Sequence, residues 1–218
     1  MKYQQAFNAL SLKLRALLLD SGAGHDYDHT LRVMKNARLL LSEEPEADGE
    51  TVTFAALLHD CARPEEHASK GKVCHAKRGA EIAFELLQQQ GLPLEFCKAV
   101  SEAVRTHRYR DGIKPCTPEG KVLFDADKLD SLGAVGIGRA FIFAGHENAR
   151  LHNTEDEALN SEAYSKEDTA YREYLVKLRY LPRRMRSAAG RKLAVEKAAF
   201  MADFFERLNS EIYNGEIF

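Results

Sequence analysis

No stretch of the chain approaches the roughly 20 apolar residues that span a bilayer, which argues against a transmembrane protein. The opening segment MKYQQAFNAL holds one Lys and no continuous apolar core. It does not read as a secretion signal, and a cytoplasmic protein is expected. Charge of one sign is not in excess either: 31 Lys plus Arg stand against 33 Asp plus Glu, a formal net charge of -2. Stable nucleic-acid binding runs on surplus basic side chains, so none is expected. Cysteine is scarce, and Cys61, Cys74, Cys97 and Cys116 form no C-x-x-C pair. That disfavours a zinc knuckle and a dithiol redox site. A chain of 218 residues buries a sizeable core without disulfides, and the four cysteines are expected to be buried or half-buried.

Apolar and polar residues nowhere alternate long enough to predict a strand, whereas helical periodicity recurs throughout. Phe7, Leu10, Leu14, Leu17 and Leu18 form a first stripe, ended at Gly22-Ala23-Gly24. Asp28 is placed to cap a second helix carrying Leu31, Met34, Ala37, Leu40 and Leu41. A short apolar helix follows over 52–60, and Pro64 and Gly71 predict a loop over 62–73. Further helices are expected over about 74–90 and after Pro93, then a loop over 108–118. Helical pattern resumes over 119–132 and continues to 144. Residues 146–164 are polar and aperiodic, which predicts a mobile excursion. One helix near 165–180 and a last one carrying Leu193, Met201, Phe205 and Ile212 close the chain. The expectation is a single all-α domain over 1–218.

The chemistry-bearing residues fall at the ends of these helices. His29 sits in the first turn of the second helix. His59 and Asp60 are adjacent in AALLHDCAR, His75 opens a helix, His107 closes one, and Asp127 lies in FDADKLDSLG. Neighbours on a helix differ by about 100° in direction, so His59 and Asp60 both lean toward one point beyond its end. Imidazole nitrogen with carboxylate oxygen suits Mn²⁺, Fe²⁺, Co²⁺, Ni²⁺ or Zn²⁺, and Mg²⁺ is kept as a further candidate. An Asp buried just after AALLH needs a partner for its charge, and a metal is one. Single histidines at helix ends are more often surface or capping groups, as expected for His25, His67, His146 and His152. Asp125 and Asp130 are read as solvated neighbours.

Taken in order, GHDYDHTLRVMKNA around His29, AALLHDCARPEE around His59-Asp60 and KVLFDADKLDSLGAVGIGRAF around Asp127 resemble the HD superfamily of metal-dependent phosphohydrolases. The tail YREYLVKLRYLPRRMRSAAGRKLAVEKAAFMADFFERLNSEI is similar to the last helices of small stand-alone bacterial members, some of them nucleotide pyrophosphohydrolases. The resemblance implies an HD-type helical bundle with a metal-binding core over about 20–135 and a C-terminal elaboration over about 160–214. It implies metal ligands at His29, His59, Asp60 and Asp127. It also implies attack of a metal-bound hydroxide on the phosphorus of a nucleotide or other small phosphorylated metabolite.

His75 and His107 resemble the extra ligands of the two-metal HD-GYP branch. This chain departs from that branch in lacking G-Y-P after His107 and in having Arg63 where that branch has Lys. One metal is expected, with His75 and His107 either binding substrate phosphate through N–H groups or holding a second ion. Arg63 is the first candidate for gripping phosphate, with Lys77, Arg108 and Lys128 behind it, because guanidinium donates two parallel hydrogen bonds. Glu65 and Glu66, at the mouth of the 62–73 loop, are candidates to move a proton. Asp60, Arg63, Glu65 and Glu66 thus form the expected catalytic group. Arg183, Arg184, Arg186, Arg191 and Lys192 read as a solvated or subunit-contact face, compatible with a homodimer. Two rival functions are a metal-containing nucleotide sensor without significant hydrolysis and a helical interaction protein whose His and Asp residues are structural only.

Overall fold

The computed structural model describes residues 1–18, 26–108 and 113–213. The break at Gly22-Ala23-Gly24, His25, Arg110 and Gly112 lie outside the described residues. The fold is all-α, as expected, with no strand among the described residues. The chain divides into two compact units, Met1–Asp127 and Lys128–Phe218.

The first unit is organised around a helix with no solvent face. It contains α1 (Gln4–Leu17), α2 (Tyr27–Leu41), α3 (Gly49–Leu58), α4 (Arg63–Ala68), α5 (His75–Gln89) and α6 (Leu94–Thr106), and most of α7 (Pro118–Leu129). In α3, Val52 and every residue from Phe54 to Leu58 is buried, because the segment TFAALL is apolar on all sides. Helices α2 and α6 pack on α3, and α5 packs on α6. Leu10 and Leu14 of α1, Leu40 of α2 and Val100 and Val104 of α6 complete the core. Burying each such side chain contributes about 1.5–3 kcal/mol, so α3 is held firmly and its C-terminal end is a fixed point.

Local chemistry sets the helix boundaries. Asp48 caps α3 by accepting from the Thr51 N–H at 2.8 Å. Asp26, not Asp28, caps α2: its side chain accepts from the His29 N–H at 2.9 Å, and the helix starts at Tyr27. The segment expected as a loop after the His-Asp pair instead forms α4, with Pro64 in its first turn. Proline is tolerated there because the first N–H groups of a helix have no intrahelical acceptor.

The second unit contains α8 (Gly133–His146), α9 (Glu155–Asn160), α10 (Ala170–Val176), a 3₁₀ helix (Leu178–Arg184) and α11 (Ala188–Tyr213). The helix expected near 165–180 is split in two after Val176, and Pro182 lies in the 3₁₀ piece. Residues 146–164 are not the unpatterned excursion their composition predicts. Thr154 and Glu157 form a capping box that starts α9. Asn153, buried, donates to the Glu167 carbonyl and accepts from the Thr169 hydroxyl at 2.8 Å. Asp130, expected to be solvated, is buried and paired with Arg139 at 2.8 Å.

One close approach in this unit makes a direct test of packing. A Cβ on Gly136 would sit 2.2 Å from the Ser131 carbonyl oxygen, whereas one on Gly138 meets nothing within 4 Å. Gly136→Ala will therefore destabilise the protein by about 1–3 kcal/mol in urea unfolding, the usual cost of overpacking. Gly138→Ala, on the open side of the same helix, will stabilise by about 0.5–1 kcal/mol. Equal midpoints for the two variants would refute this packing.

Candidate metal centre

Residues at or near the ends of five helices meet at one buried cluster. His29 comes from the first turn of α2 and His59 is the C-cap of α3, with Asp60 directly after it. His75 opens α5, His107 caps α6, and Asp127 lies near the end of α7. All six are buried. The Asn36 side chain on α2 donates to the Ala126 carbonyl at 3.1 Å, tying the helix that carries His29 to the turn that carries Asp127. Nothing in the sequence pattern singled out Asn36.

The six groups form two triads that share one carboxylate. His29, His59 and Asp127 make the first, and Asp60, His75 and His107 make the second. His29 Nε2 lies 3.2 Å from His59 Nε2 and 3.5 Å from Asp127 Oδ1. His75 Nε2 lies 3.1 Å from His107 Nε2. Asp60 reaches both: Oδ2 is 3.5 Å from His29 Nε2 and from His59 Nε2, while Oδ1 is 3.6 Å from His75 Nε2 and 3.9 Å from His107 Nε2. Ligand atoms about 2.0–2.2 Å from a common ion lie roughly 3–3.5 Å from one another; the first triad's distances from His29 match that spacing, and the second triad, at 3.1–3.9 Å, is slightly wider.

The protonation of the rings decides what the cluster accepts. His59 Nδ1 is 2.8 Å from the Ala56 carbonyl, and His107 Nδ1 is 2.6 Å from the Val104 carbonyl. A carbonyl only accepts, so each Nδ1 carries the proton and donates. His75 Nδ1 likewise donates to the Glu66 carboxylate at 2.9 Å. Burial lowers the pKa of His59 and His75, and lowers that of His107 further, with the neighbouring histidines adding to it. All three rings are therefore neutral, with bare Nε2 lone pairs turned inward. The Nε2 atoms of His75 and His107 cannot hydrogen-bond each other in that state, nor can they donate to a phosphate. Converging lone pairs beside two carboxylates fit divalent cations, and the N–H arrangement outside them is the usual support for metal-bound histidine.

The same neutral rings make stability sensitive to acid. Below about 6.5 the unfolded chain takes up protons at these histidines that the folded chain refuses, so stability falls with pH until the lowered folded values are reached. The slope is at most about 1.4 kcal/mol per pH unit for each histidine. Thermal melts in chelator will drop between pH 7.5 and 5.5 and hold nearly level between 7.5 and 8.5. A flat profile across the acid range would contradict the neutral assignment.

The residues expected to handle phosphate and protons divide into two groups. Arg63 reaches the cluster, its Nε donating to Asp60 Oδ1 and its Nη1 to Glu66 Oε2, both at 2.8 Å. Arg108 joins it, donating to Glu66 Oε1 at 2.6 Å and lying 3.6 Å from Cys74 Sγ. Glu66 thus accepts from Arg63, Arg108 and His75. Burial alone would raise its pKa, but the His75 hydrogen bond and the two guanidinium charges hold it well below the usual carboxylate range. An anion held this way suits an anchor and not the proton carrier the sequence suggested. Glu65 is exposed and pairs outward with Arg78. Lys77 is exposed on α5, and Lys128 is half-buried one residue beyond Asp127.

Other expectations resolve simply. His67 and His146 are exposed, but His152 is buried and hydrogen-bonded to Asn209. Asp125 is fully buried, not solvated. Cys61 and Cys97 are buried and Cys74 half-buried, while Cys116 is exposed, contrary to expectation.

Comparison with known proteins matches the HD domain to residues 26–132, which include all six residues of the two triads. The chain is 31% identical over 203 residues to the Bacillus subtilis protein YpgQ, covering 91% of this chain and 90% of that one. The chain belongs to the HD domain family. Among solved HD structures, a predicted HD superfamily hydrolase from an uncultured Thermotogales bacterium superposes with a TM-score of 0.67 at 31% identity, over 94% of this chain and 91% of its own. The Bacillus subtilis YpgQ complex with ADP superposes with a TM-score of 0.71 at 29% identity, over 93% of this chain and 98% of its own. The matched span holds His29, His59-Asp60 and Asp127 in that order. No helix among the described residues is long and apolar enough to cross a membrane.

Proposed function

We propose that this HD protein is a metal-dependent phosphohydrolase acting on a nucleotide or another small phosphorylated metabolite, and that it holds two divalent ions. One observation carries the reading: the two oxygens of Asp60 face two separate pairs of imidazole Nε2 atoms. His29, His59 and Asp127 would hold one ion, His75 and His107 the other, with Asp60 between them. Bound there, divalent ions supply Lewis acidity and lower the pKa of water toward neutrality. The chain supplies the rest. Asp60 and Asp127 contribute charge, and carbonyls of α3 and α6 fix the His59 and His107 rings. Arg63 and Arg108, half-buried at the edge, present guanidinium N–H groups to a phosphoryl oxygen while Glu66 holds them in place. The ADP in the YpgQ complex supports a nucleotide as the ligand class.

The test is a nucleotide panel with Mn²⁺, Co²⁺ or Mg²⁺, read as released phosphate or pyrophosphate beside ion content. Chelator will abolish release and added ion will restore it. Wild-type protein will retain two ions per chain and His107→Ala one. Undiminished turnover in excess chelator excludes the mechanism, and one ion in both proteins excludes the second site. A nucleotide sensor would bind members of the panel tightly and release no product from any.

A further inference from the structure

The three helices behind the first triad are tied together by hydrogen bonds that span much of the sequence. The Asn36 amide on α2 donates to the Ala126 carbonyl of α7 at 3.1 Å, across 90 residues. Glu119, in the first turn of α7, accepts from the Asp48 N–H at the cap of α3, at 2.9 Å and across 71 residues. One tie links the end of α7 to the helix of His29. The other, at the surface, links its start to the helix that ends at His59.

The Asn36 contact falls on the peptide group that places Asp127. A peptide unit is planar, so holding the Ala126 oxygen also holds the N and Cα atoms of Asp127. Seven residues make nearly two turns, so His29 and Asn36 leave the same face of α2, about 10 Å apart. Helix α2 therefore grips the end of α7 twice, with the His29 ring at Asp127 Oδ1 and the Asn36 amide at the adjacent carbonyl. Asp127 needs such a hold more than its neighbours do. Its side chain is 10% exposed, against 0% for His29 and His59 and 1% for Asp60, so packing confines it least. Ala126 is fully buried, and water cannot replace the amide at its carbonyl.

We propose that Asn36 is a positioning residue, which holds the Asp127 carboxylate within reach of the ion at His29 and His59 and acts on that ion alone. The inference rests on the two-ion reading above. The second triad, Asp60, His75 and His107, takes no member from α2 or α7, so the Asn36 tie passes it by. Loosening α7 therefore separates the two ions, whereas a general loss of stability would weaken both.

The test strips the full chain with chelator, removes the chelator and titrates Mn²⁺ alone by equilibrium dialysis, with no turnover required. Two backgrounds separate the sites: His107→Ala keeps the ion of the first triad, and Asp127→Asn keeps that of the second. Asn36→Leu, close in volume but unable to donate, will weaken the ion in the first background about tenfold, the lower end of what groups supporting metal ligands contribute. In the second background it will change affinity by less than about twofold, as independent sites do. Asn36→Asp will give the same pattern at about pH 8, where its carboxylate is ionised and cannot donate. That arm separates positioning from electrostatics, since a negative charge about 10 Å away would by itself tighten a cation. Circular dichroism and urea midpoints check that each variant is folded. The proposal is overturned if either Asn36 variant binds the first ion as tightly as its parent, or weakens the second ion as much as the first. Wild type and His107→Ala both holding one ion would refute the two-ion reading instead, and the Asn36 comparison in the His107→Ala background would still decide this one.

Discussion

Asp60→Asn will strip both ions at once. Asp60 Oδ2 faces His29 and His59, and Oδ1 faces His75 and His107 while accepting from Arg63. An asparagine keeps the shape but replaces one oxygen with an NH₂ group, which donates. Whichever way the amide turns, one triad meets N–H where it had an anion, and the other loses its share of charge. Ion content will fall below one per chain with helix content by circular dichroism unchanged. The Lewis acidity lost is worth several kcal/mol, and ~4 kcal/mol is about 10³-fold in kcat/KM. Asp127→Asn serves as the comparison, because Asp127 belongs to one triad only. It will leave the His75–His107 ion in place. If Asp60→Asn keeps wild-type ion content, the bridging role is wrong even if activity is lost.

The candidates His29, His59, Asp60 and Asp127 were legible in the sequence because the segments around them resemble the HD superfamily. Their convergence depends on α3 being apolar all round, which the run TFAALL already announced. Arg63, Glu66 and Arg108 were singled out one by one, but their pairing was not legible, for a physical reason. Arg108 meets Glu66 across 42 residues of sequence, and no local periodicity encodes that contact. Whether His75 and His107 donate to phosphate or hold an ion turns on groups outside the motif. The Val104 carbonyl and the Glu66 carboxylate take the Nδ1 protons and leave the inner nitrogens bare.

Polar segments misled in the same way twice. Residues 63–68 looked like a loop because they carry Pro64 and charge, yet a proline in the first turn starts a helix as readily as it ends one. Residues 146–164 have no apolar period because side-chain to backbone hydrogen bonds hold them. Tyr164 N–H to Asp168 at 2.7 Å is one of these. The chemistry that orders both segments is specific to positions, and composition averages it away.

Glu66→Gln separates an anchor from a proton carrier. The native carboxylate accepts from Arg63, Arg108 and His75. A glutamine has one accepting oxygen and one donating nitrogen, so at least one of the three donors meets N–H. If the nitrogen faces His75, the ring gives up its Nδ1 proton, carries it on Nε2 instead, and points N–H at the second triad. Loss of such a supporting carboxylate weakens ion binding by roughly 10–100-fold. The expected result is therefore a raised metal requirement at the site formed by Asp60, His75 and His107. At saturating Mn²⁺ the rate will return to within a few-fold of wild type, with both limbs of the pH–rate profile intact. Glu65→Gln, which removes only an exposed pair with Arg78, will behave as wild type in both measurements. A proton carrier would behave in the opposite way: ion affinity would be unchanged, kcat would be lost at every metal concentration, and one limb of the profile would disappear. That outcome for Glu66→Gln would return the residue to the proton-transfer role and leave the orientation of His75 to the packing of α5 alone.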